Sequence, residues 1–370
     1  MSDRIRLLMT IADLYGGGTE RVFSNLLHRL SRDKFDIHVC LWRPVFDYPC
    51  PDDLPVHILG KYKPWHALRT VLRMRRLIDD LNPDVIFSAL RYTNILTGEA
   101  LARSSRKPRW VCRLGGAPQH ELKGPMKLWA RRALGRASRV VCNSKGIHDA
   151  AIKYLPLDPE RVVTIYNLVE FDRIEKLSQQ PLPIKRPSDT FVVLHAGRFH
   201  PQKNQSMLLR AFSHMQRKDS ELWICGRGEL ERKLKALSSR LGIGSRVRWL
   251  GFQKNPFPFF RAADCFALTS NREGLNNALI ESMYCGTPAV STRCPYGTEE
   301  IIQDGATGIL TPLNDVAAFS TALDRIAAAG DLRARMAENA YGFVHDTFNP
   351  GRICVQFESL FEELARNTAQ

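Results

Sequence analysis

The chain has 370 residues, enough for two domains of the usual ~100–200 residues each, and its 44% hydrophobic and 25% charged content is that of a protein with real cores. No apolar run approaches the ~18 residues needed to cross a bilayer, and the opening Met-Ser-Asp-Arg-Ile-Arg-Leu-Leu-Met lacks the apolar core of a signal peptide, so a cytoplasmic protein is expected. The formal charge is +15, and residues 61–145 alone hold 19 Lys+Arg against 5 Asp+Glu, a concentration that implies an anionic partner. Nine cysteines, at 40, 50, 112, 142, 225, 265, 285, 294 and 354, form no Cys-x-x-Cys pair. They read as buried free thiols in a reducing compartment rather than as disulfides or metal ligands.

The first strand is expected at Arg4–Ile11, giving way to Gly16-Gly17-Gly18 and a helical pattern from Thr19 to Leu30. Phe35–Leu41 reads as the next strand and Trp65–Leu81 as a helix. Asp84–Ser88, Arg109–Leu114, Ser138–Asn143 and Arg161–Ile165 continue as short strands with helical stretches between them. Short apolar strands separated by helices mean right-handed crossovers and a parallel sheet. Gln179–Asp189 (QQPLPIKRPSD) breaks the pattern and reads as a linker. The alternation then restarts, with strands at Thr190–Ala196, Glu221–Gly226, Arg246–Gly251, Asp264–Thr269 and Pro288–Ser291. The fold expected is α/β: two Rossmann-like parallel-sheet domains facing a central cleft, spanning 1–178 and 190–345 about a linker at 179–189. A last helical piece within 346–370, about Asn349–Leu364, could pack on either domain.

Gly16-Gly17-Gly18 lies where the first strand meets the first helix. It either lets the backbone approach a ligand without a Cβ clash or serves only as a tight turn. It is not a dinucleotide fingerprint, because the G-x-G-x-x-G spacing is absent; Gly226-Arg227-Gly228 is likewise followed by Glu229-Leu230-Glu231 rather than a third glycine. After the first strand of the second half comes Ala196-Gly197-Arg198-Phe199-His200-Pro201-Gln202-Lys203-Asn204. A guanidinium fork and an ammonium at a strand end make a clamp for a diphosphate.

The densest signal is Asn271-Arg272-Glu273-Gly274-Leu275-Asn276-Asn277-Ala278-Leu279-Ile280-Glu281, with two carboxylates eight positions apart. Glu273 ends a loop, Asn276 or Asn277 caps a helix, and Glu281 falls one to two turns inside it. A helix start attracts phosphate, and flanking acids suit neutral hydroxyl groups on either side of it. Asp-x-Asp is absent and the ten histidines form no pairs at helical spacing, so no metal and no other cofactor is expected. His120, in Gly115-Gly116-Ala117-Pro118-Gln119-His120-Glu121, reads either as a solvated loop histidine or as a contact to a substrate hydroxyl. In the basic zone, Pro125–Ala137 sets Met126, Trp129, Ala133 and Leu134 near one face among Lys127, Arg131, Arg132 and Arg136. Tyr62–Leu81 mixes Trp65, Leu68, Leu72 and Leu77 with Arg69, Arg73, Arg75 and Arg76. Such helices either lie on an anionic bilayer or are ordinary solvated amphipathic helices. No nucleic-acid module accompanies the charge, and nucleic acid is not an expected partner.

Together these residues resemble the retaining glycosyltransferases of the GT-B fold, specifically the family numbered four, over nearly the whole chain. The markers are Gly16-Gly17-Gly18-Thr19-Glu20-Arg21, Gly197-Arg198 with Lys203-Asn204, Gly226-Arg227-Gly228, Arg261-Ala262-Ala263-Asp264, and Glu273-x7-Glu281 followed by Gly286-Thr287-Pro288. The resemblance implies a nucleotide-sugar donor held mainly by the second domain and an acceptor entering from the first, past Gly16, Gly17 and Gly18, which also count among the donor-binding residues. Arg198 and Lys203 would bind the diphosphate, Glu281 the ribose hydroxyls, and Glu273 the donor sugar. Backbone amides of Gly274, Leu275, Asn276 and Asn277 would support the phosphates or sugar. Many relatives carry a histidine near the end of the strand here occupied by Val111–Gly116; this chain has Arg113 there, with His120 beyond, and either is a candidate for that role.

The function expected is transfer of a sugar, with retention, from a UDP-sugar to a lipid-linked saccharide or cell-surface polysaccharide precursor such as that of lipopolysaccharide. The enzyme would work at the cytoplasmic face of the inner or plasma membrane, touching anionic lipid through residues 61–145. Rival readings are a UDP-sugar epimerase or hydrolase of the same fold, and a non-catalytic basic adaptor that binds membrane.

Overall fold

A computed structural model describes residues 4–60, 64–155 and 157–366. They form two compact units, Met1–Leu168 with Pro350–Gln370, and Val169–Asn349. Lys61, Tyr62 and Lys63 of the basic zone lie outside the described residues.

In the first unit the strands are β1 (Ile5–Ile11), β2 (Phe35–Leu41), β3 (Val56–Ile58), β4 (Val85–Ala89), β5 (Arg109–Leu114), β6 (Arg139–Cys142) and β7 (Val162–Thr164). They form one all-parallel sheet in the order β3-β2-β1-β4-β5-β6-β7. The helices are α1 (Gly18–Arg29), α2 (Ala67–Leu81), α3 (Arg91–Leu101), α4 (Pro118–Glu121), α5 (Pro125–Leu134) and α6 (Lys145–Tyr154). Central β1 is apolar on both faces because both are covered: Leu7 pairs with Ile37 on one side and Val85 on the other, and Leu7, Leu8, Met9 and Ile11 are all buried.

The second unit carries α7 (Phe171–Ser178), β8 (Phe191–Ala196), α8 (Gln205–His214), β9 (Ser220–Cys225), α9 (Glu231–Arg240), β10 (Val247–Gly251), α10 (Phe257–Ala262) and β11 (Cys265–Leu268). It continues with α11 (Asn277–Tyr284), β12 (Ala289–Thr292), α12 (Thr298–Ile301), β13 (Gly308–Thr311), α13 (Val316–Ala328) and α14 (Gly330–Thr347). Its six strands are again all parallel, ordered β10-β9-β8-β11-β12-β13. Phe191, Val193, Phe212, Leu222, Ile224, Phe319 and Leu323 fill its core, each contributing ~1.5–3 kcal/mol through burial.

The last helix, α15 (Pro350–Arg366), belongs to the first unit. Phe357 and Phe361 meet Phe87 at 5.7 Å between ring centroids, and Phe361 meets Phe35 edge-on at 6.1 Å. Glu358 then accepts from the Ser31 N–H at 2.9 Å and from Lys34 Nζ at 3.1 Å, tying the helix to the turn before β2.

Both sheets follow the expected alternation, with two additions, β3 and β13. Each is an edge strand of three or four residues, too short to carry a period. The boundary between units also differs from the expected linker at 179–189. It falls at Leu168/Val169, because α7 packs its apolar residues Phe171 and Ile174 inside the second unit, against α10 among others. All nine cysteines are free.

Candidate active site

In the second unit, the chemistry-bearing residues collect at the carboxyl ends of β8, β11 and β12, where open parallel sheets place ligands. After β8 the chain runs through Gly197 and Arg198 into a single 3₁₀ turn, Pro201–Lys203, capped by His200, whose side chain accepts from the Gln202 N–H. Asn204 adopts a left-handed φ of 47° and starts α8. Gly226 and Gly228 give this loop its close neighbour. A Cβ on either would collide with the backbone of Gly197 or Phe199, and Phe199 N–H donates to the Arg227 carbonyl at 3.0 Å. The function of that glycine pair is backbone contact.

The loop after β11 is stitched to the loop after β8. Asn271 N–H donates to the Gln202 carbonyl at 2.8 Å, Gln202 Nε2 to the Arg272 carbonyl at 2.9 Å, and Thr269 Oγ1 to the Lys203 carbonyl at 3.1 Å. Within this frame Lys203 Nζ meets Glu273 Oε1 at 2.6 Å, and Ser270 Oγ donates to the same oxygen at 2.5 Å. Lys203 and Glu273, assigned separately to diphosphate and sugar from the sequence, are therefore one ion pair. Its side chains are only 20% and 9% exposed. Arg198, five residues earlier, is exposed, and among the described residues its guanidinium has no hydrogen-bond or ion-pair partner.

Asn276 is the cap of α11: its Oδ1 accepts from the Leu279 N–H at 2.9 Å, and Asn277 is the first helical residue. Glu281 lies one turn further in and is buried. The Pro295–Gly297 loop presses onto Gly274. The Pro295 carbonyl accepts from the Glu273 N–H at 3.3 Å, and a Cβ on Gly297 would collide with the Gly274 carbonyl. Tyr296 in that loop is held at φ 91°, a strained position of a kind that costs ~1–3 kcal/mol and gathers at functional sites.

Sequence reasoning passed over His195, near the end of β8 and fully buried. Its Nδ1 donates to the Ala267 carbonyl at 2.9 Å, which leaves Nε2 to accept from the Gln205 amide at 3.3 Å. The same amide nitrogen donates to the Arg198 carbonyl at 2.9 Å. Burial pushes the His195 pKa down to about 4, against the opposing effect of the Ala267 hydrogen bond, so the ring is a neutral prop under the Gly197–Arg198 turn. A histidine inside an apolar strand, Val-Val-Leu-His-Ala, was the signal for it.

In the first unit, Gly16 takes φ 63°, Gly17 is the N-cap of α1 and Gly18 its first residue. The Glu20 carboxylate folds back over Gly17 so closely that a Cβ there would collide with it. Arg113 lies in β5, buried, and its Nη2 donates to Asn167 Oδ1. Thr19 Oγ1 and Arg113 Nη1 both converge on Gly115, 3.2 and 3.5 Å from where its Cβ would be. His120 is exposed on the short helix α4.

The family described as "Glycosyltransferase Family 4" matches residues 16–173, and "Glycosyl transferases group 1" matches residues 179–343. The chain is 28% identical over 325 residues to the N-acetylgalactosamine-N,N'-diacetylbacillosaminyl-diphospho-undecaprenol 4-alpha-N-acetylgalactosaminyltransferase of Campylobacter jejuni, covering 84% of this chain and 87% of that protein. It is 26% identical over 359 residues to the lipopolysaccharide core biosynthesis glycosyltransferase LpsD of Rhizobium meliloti, covering 94% and 95%. The crystal structure of Anabaena HepE in complex with UDP-glucose superposes with a TM-score of 0.83 at 22% identity, covering 97% of this chain and 100% of that one. With a seven-stranded and a six-stranded parallel sheet and transferases as its relatives, the chain is a glycosyltransferase enzyme of the GT-B fold.

Proposed function

We propose that the protein transfers a sugar, with retention of anomeric configuration, from a UDP-sugar to a lipid-linked saccharide of the kind that feeds lipopolysaccharide or another surface glycan. The observation that carries this is the clamp at the end of β8. An uncommitted guanidinium, Arg198, lies in the same loop after β8 as Lys203, which the Glu273 carboxylate holds in place. Both cations would neutralise a diphosphate and offset the charge that builds on it as the sugar departs, the largest protein contribution such a site can make. Glu281, buried one turn into α11, would take the ribose hydroxyls, and the Gly274–Asn277 backbone the phosphates or sugar. Glu273, with Oε1 bonded to Lys203 and Ser270, positions the donor sugar; in this reading the leaving phosphate takes the acceptor's proton, and the two-carboxylate machinery of glycoside hydrolases is not needed. The reaction is metal-independent.

The named activities of the relatives and the UDP-glucose complex of HepE support the donor and acceptor classes. Membrane contact is supported by α2 and α5, which both pack on α3. Their inward residues are Val71, Met74 and Ile78, and Ala130, Ala133 and Leu134. Trp65 and Leu128 are over 70% exposed, and Leu68 and Trp129 are exposed with them. Arg69, Arg76, Arg131, Arg132 and Arg136 stand exposed around them, the composition of a surface that lies on anionic lipid at the cytoplasmic face of a membrane. Among the described residues no helix is long and apolar enough to cross one.

The test is incubation with labelled UDP-sugars and a bacterial lipid extract, with and without EDTA. Label should pass to a lipid-soluble product in the same α configuration as the donor, at the same rate in EDTA. Release of free sugar alone, or an inverted product, would contradict the reading.

A further inference from the structure

The protein has 53 Lys and Arg residues, and among the described ones a single side chain is buried: Arg113, 3% exposed. Its Nη2 is spent on Asn167, while Nε and Nη1 are buried with no acceptor among the described residues. Burial draws its pKa down to about 10, against the opposing effects of Cys142 and of the Glu20 charge. Nη1 points toward Gly115, where Thr19 Oγ1, from the first turn of α1, also arrives. Asn143, after β6, places its amide nitrogen 3.9 Å from the same point and donates it to the Gly115 carbonyl at 3.4 Å.

Burying a guanidinium for one side-chain hydrogen bond is unfavourable; an apolar side chain of similar volume would fill the space at less cost. A buried cation with two N–H directions unspent, beside a helix start and at the carboxyl end of a parallel strand, is arranged for an anionic oxygen group. We propose that Arg113, with Thr19, forms an anion subsite in the first unit that reads a phosphate or carboxylate carried by one of the two substrates. The inference rests on the transferase reading above, since it assumes a donor diphosphate and a glycan acceptor as the sources of that group.

Inorganic phosphate is the probe, titrated by thermal shift into the full chain, wild type and Arg113→Gln, with and without saturating UDP. Wild type should gain melting temperature with phosphate, and Arg113→Gln should lose at least ~10-fold in apparent phosphate affinity, as befits removal of a charge-assisted fork. If the Arg113-dependent shift persists on UDP-saturated protein, the anion belongs to the acceptor. If it vanishes with UDP, and Arg113→Gln also binds UDP more weakly, the anion is the donor's diphosphate. Superimposable phosphate curves for the two proteins, or no phosphate shift in wild type, would overturn the proposal and leave Arg113 a structural cation. Should Arg113→Gln fail to fold by circular dichroism, Thr19→Val carries the same comparison, with a several-fold loss expected. A wild type that binds no UDP would count against the donor reading, while the phosphate comparison would still decide this one.

Discussion

In the second unit Lys203 donates to Glu273, Ser270 donates to the same carboxylate, and further hydrogen bonds tie the loops after β8 and β11 together or to the helix start. In the first unit Arg113 is as well buried as Glu273, yet among the described residues two of its nitrogens have no acceptor. The Lys203–Glu273 pair is complete within the protein, with Arg198 left exposed for a ligand; the buried Arg113 is not satisfied within its own unit. A site whose polar groups are already paired is preorganised and gives up little on binding, whereas a site with unspent donors waits for its ligand to satisfy them. The difference matches what each unit is proposed to do: one grips a common donor, the other meets a particular partner.

The sharpest way to break the comparison is Lys203→Ala. It should lower the transfer rate ~10²–10³-fold, as removal of one charge-stabilising donor does elsewhere. It should also destabilise the protein by about 3 kcal/mol, because a largely buried Glu273 is left without its counterion. A variant with normal stability and normal rate would mean the pair is neither structural nor catalytic. Glu281→Gln tests the same unit from the nucleotide side: UDP affinity should fall ~10-fold, the scale of a hydrogen bond to a charged group. An unchanged affinity by calorimetry would remove Glu281 from the ribose.

The effect at His195 is on stability alone. Its folded pKa of about 4 lies below the ~6.5 of an unfolded histidine. As pH falls below ~6.5 the unfolded chain therefore binds a proton that the folded one refuses, so its stabilising effect is full above that range and is lost down to about 4. Urea unfolding of wild type should lose about 2 kcal/mol more than His195→Gln between pH 7 and pH 4.5. Equal losses in both would show that the ring is not held neutral.

Much of this was legible in the sequence because it was local. Strand–helix alternation gave both sheets, and Glu273, Asn276 and Glu281 fell on the loop, cap and helix their spacing implied. What was not legible is what depends on distant segments meeting. Nothing between residues 203 and 273 announces that Lys203 and Glu273 bond to each other, since that follows from β8 and β11 being neighbours in the sheet. The role of the Pro295–Gly297 loop depends likewise on a backbone contact with Gly274. Trp129 was grouped with Ala133 and Leu134, but only the alanine and leucine turn inward. A basic amphipathic pattern does not reveal which apolar residues its own unit consumes.

The central claim is that the end of β8 is built to hold a nucleoside diphosphate, and Arg198 tests it most cleanly because its guanidinium has no hydrogen-bond or ion-pair partner among the described residues. Calorimetric titration of UDP into wild type and Arg198→Ala should show binding in the first and a loss of at least ~10-fold in the second, with no change in melting temperature. Equal UDP affinity in the two proteins would contradict the account.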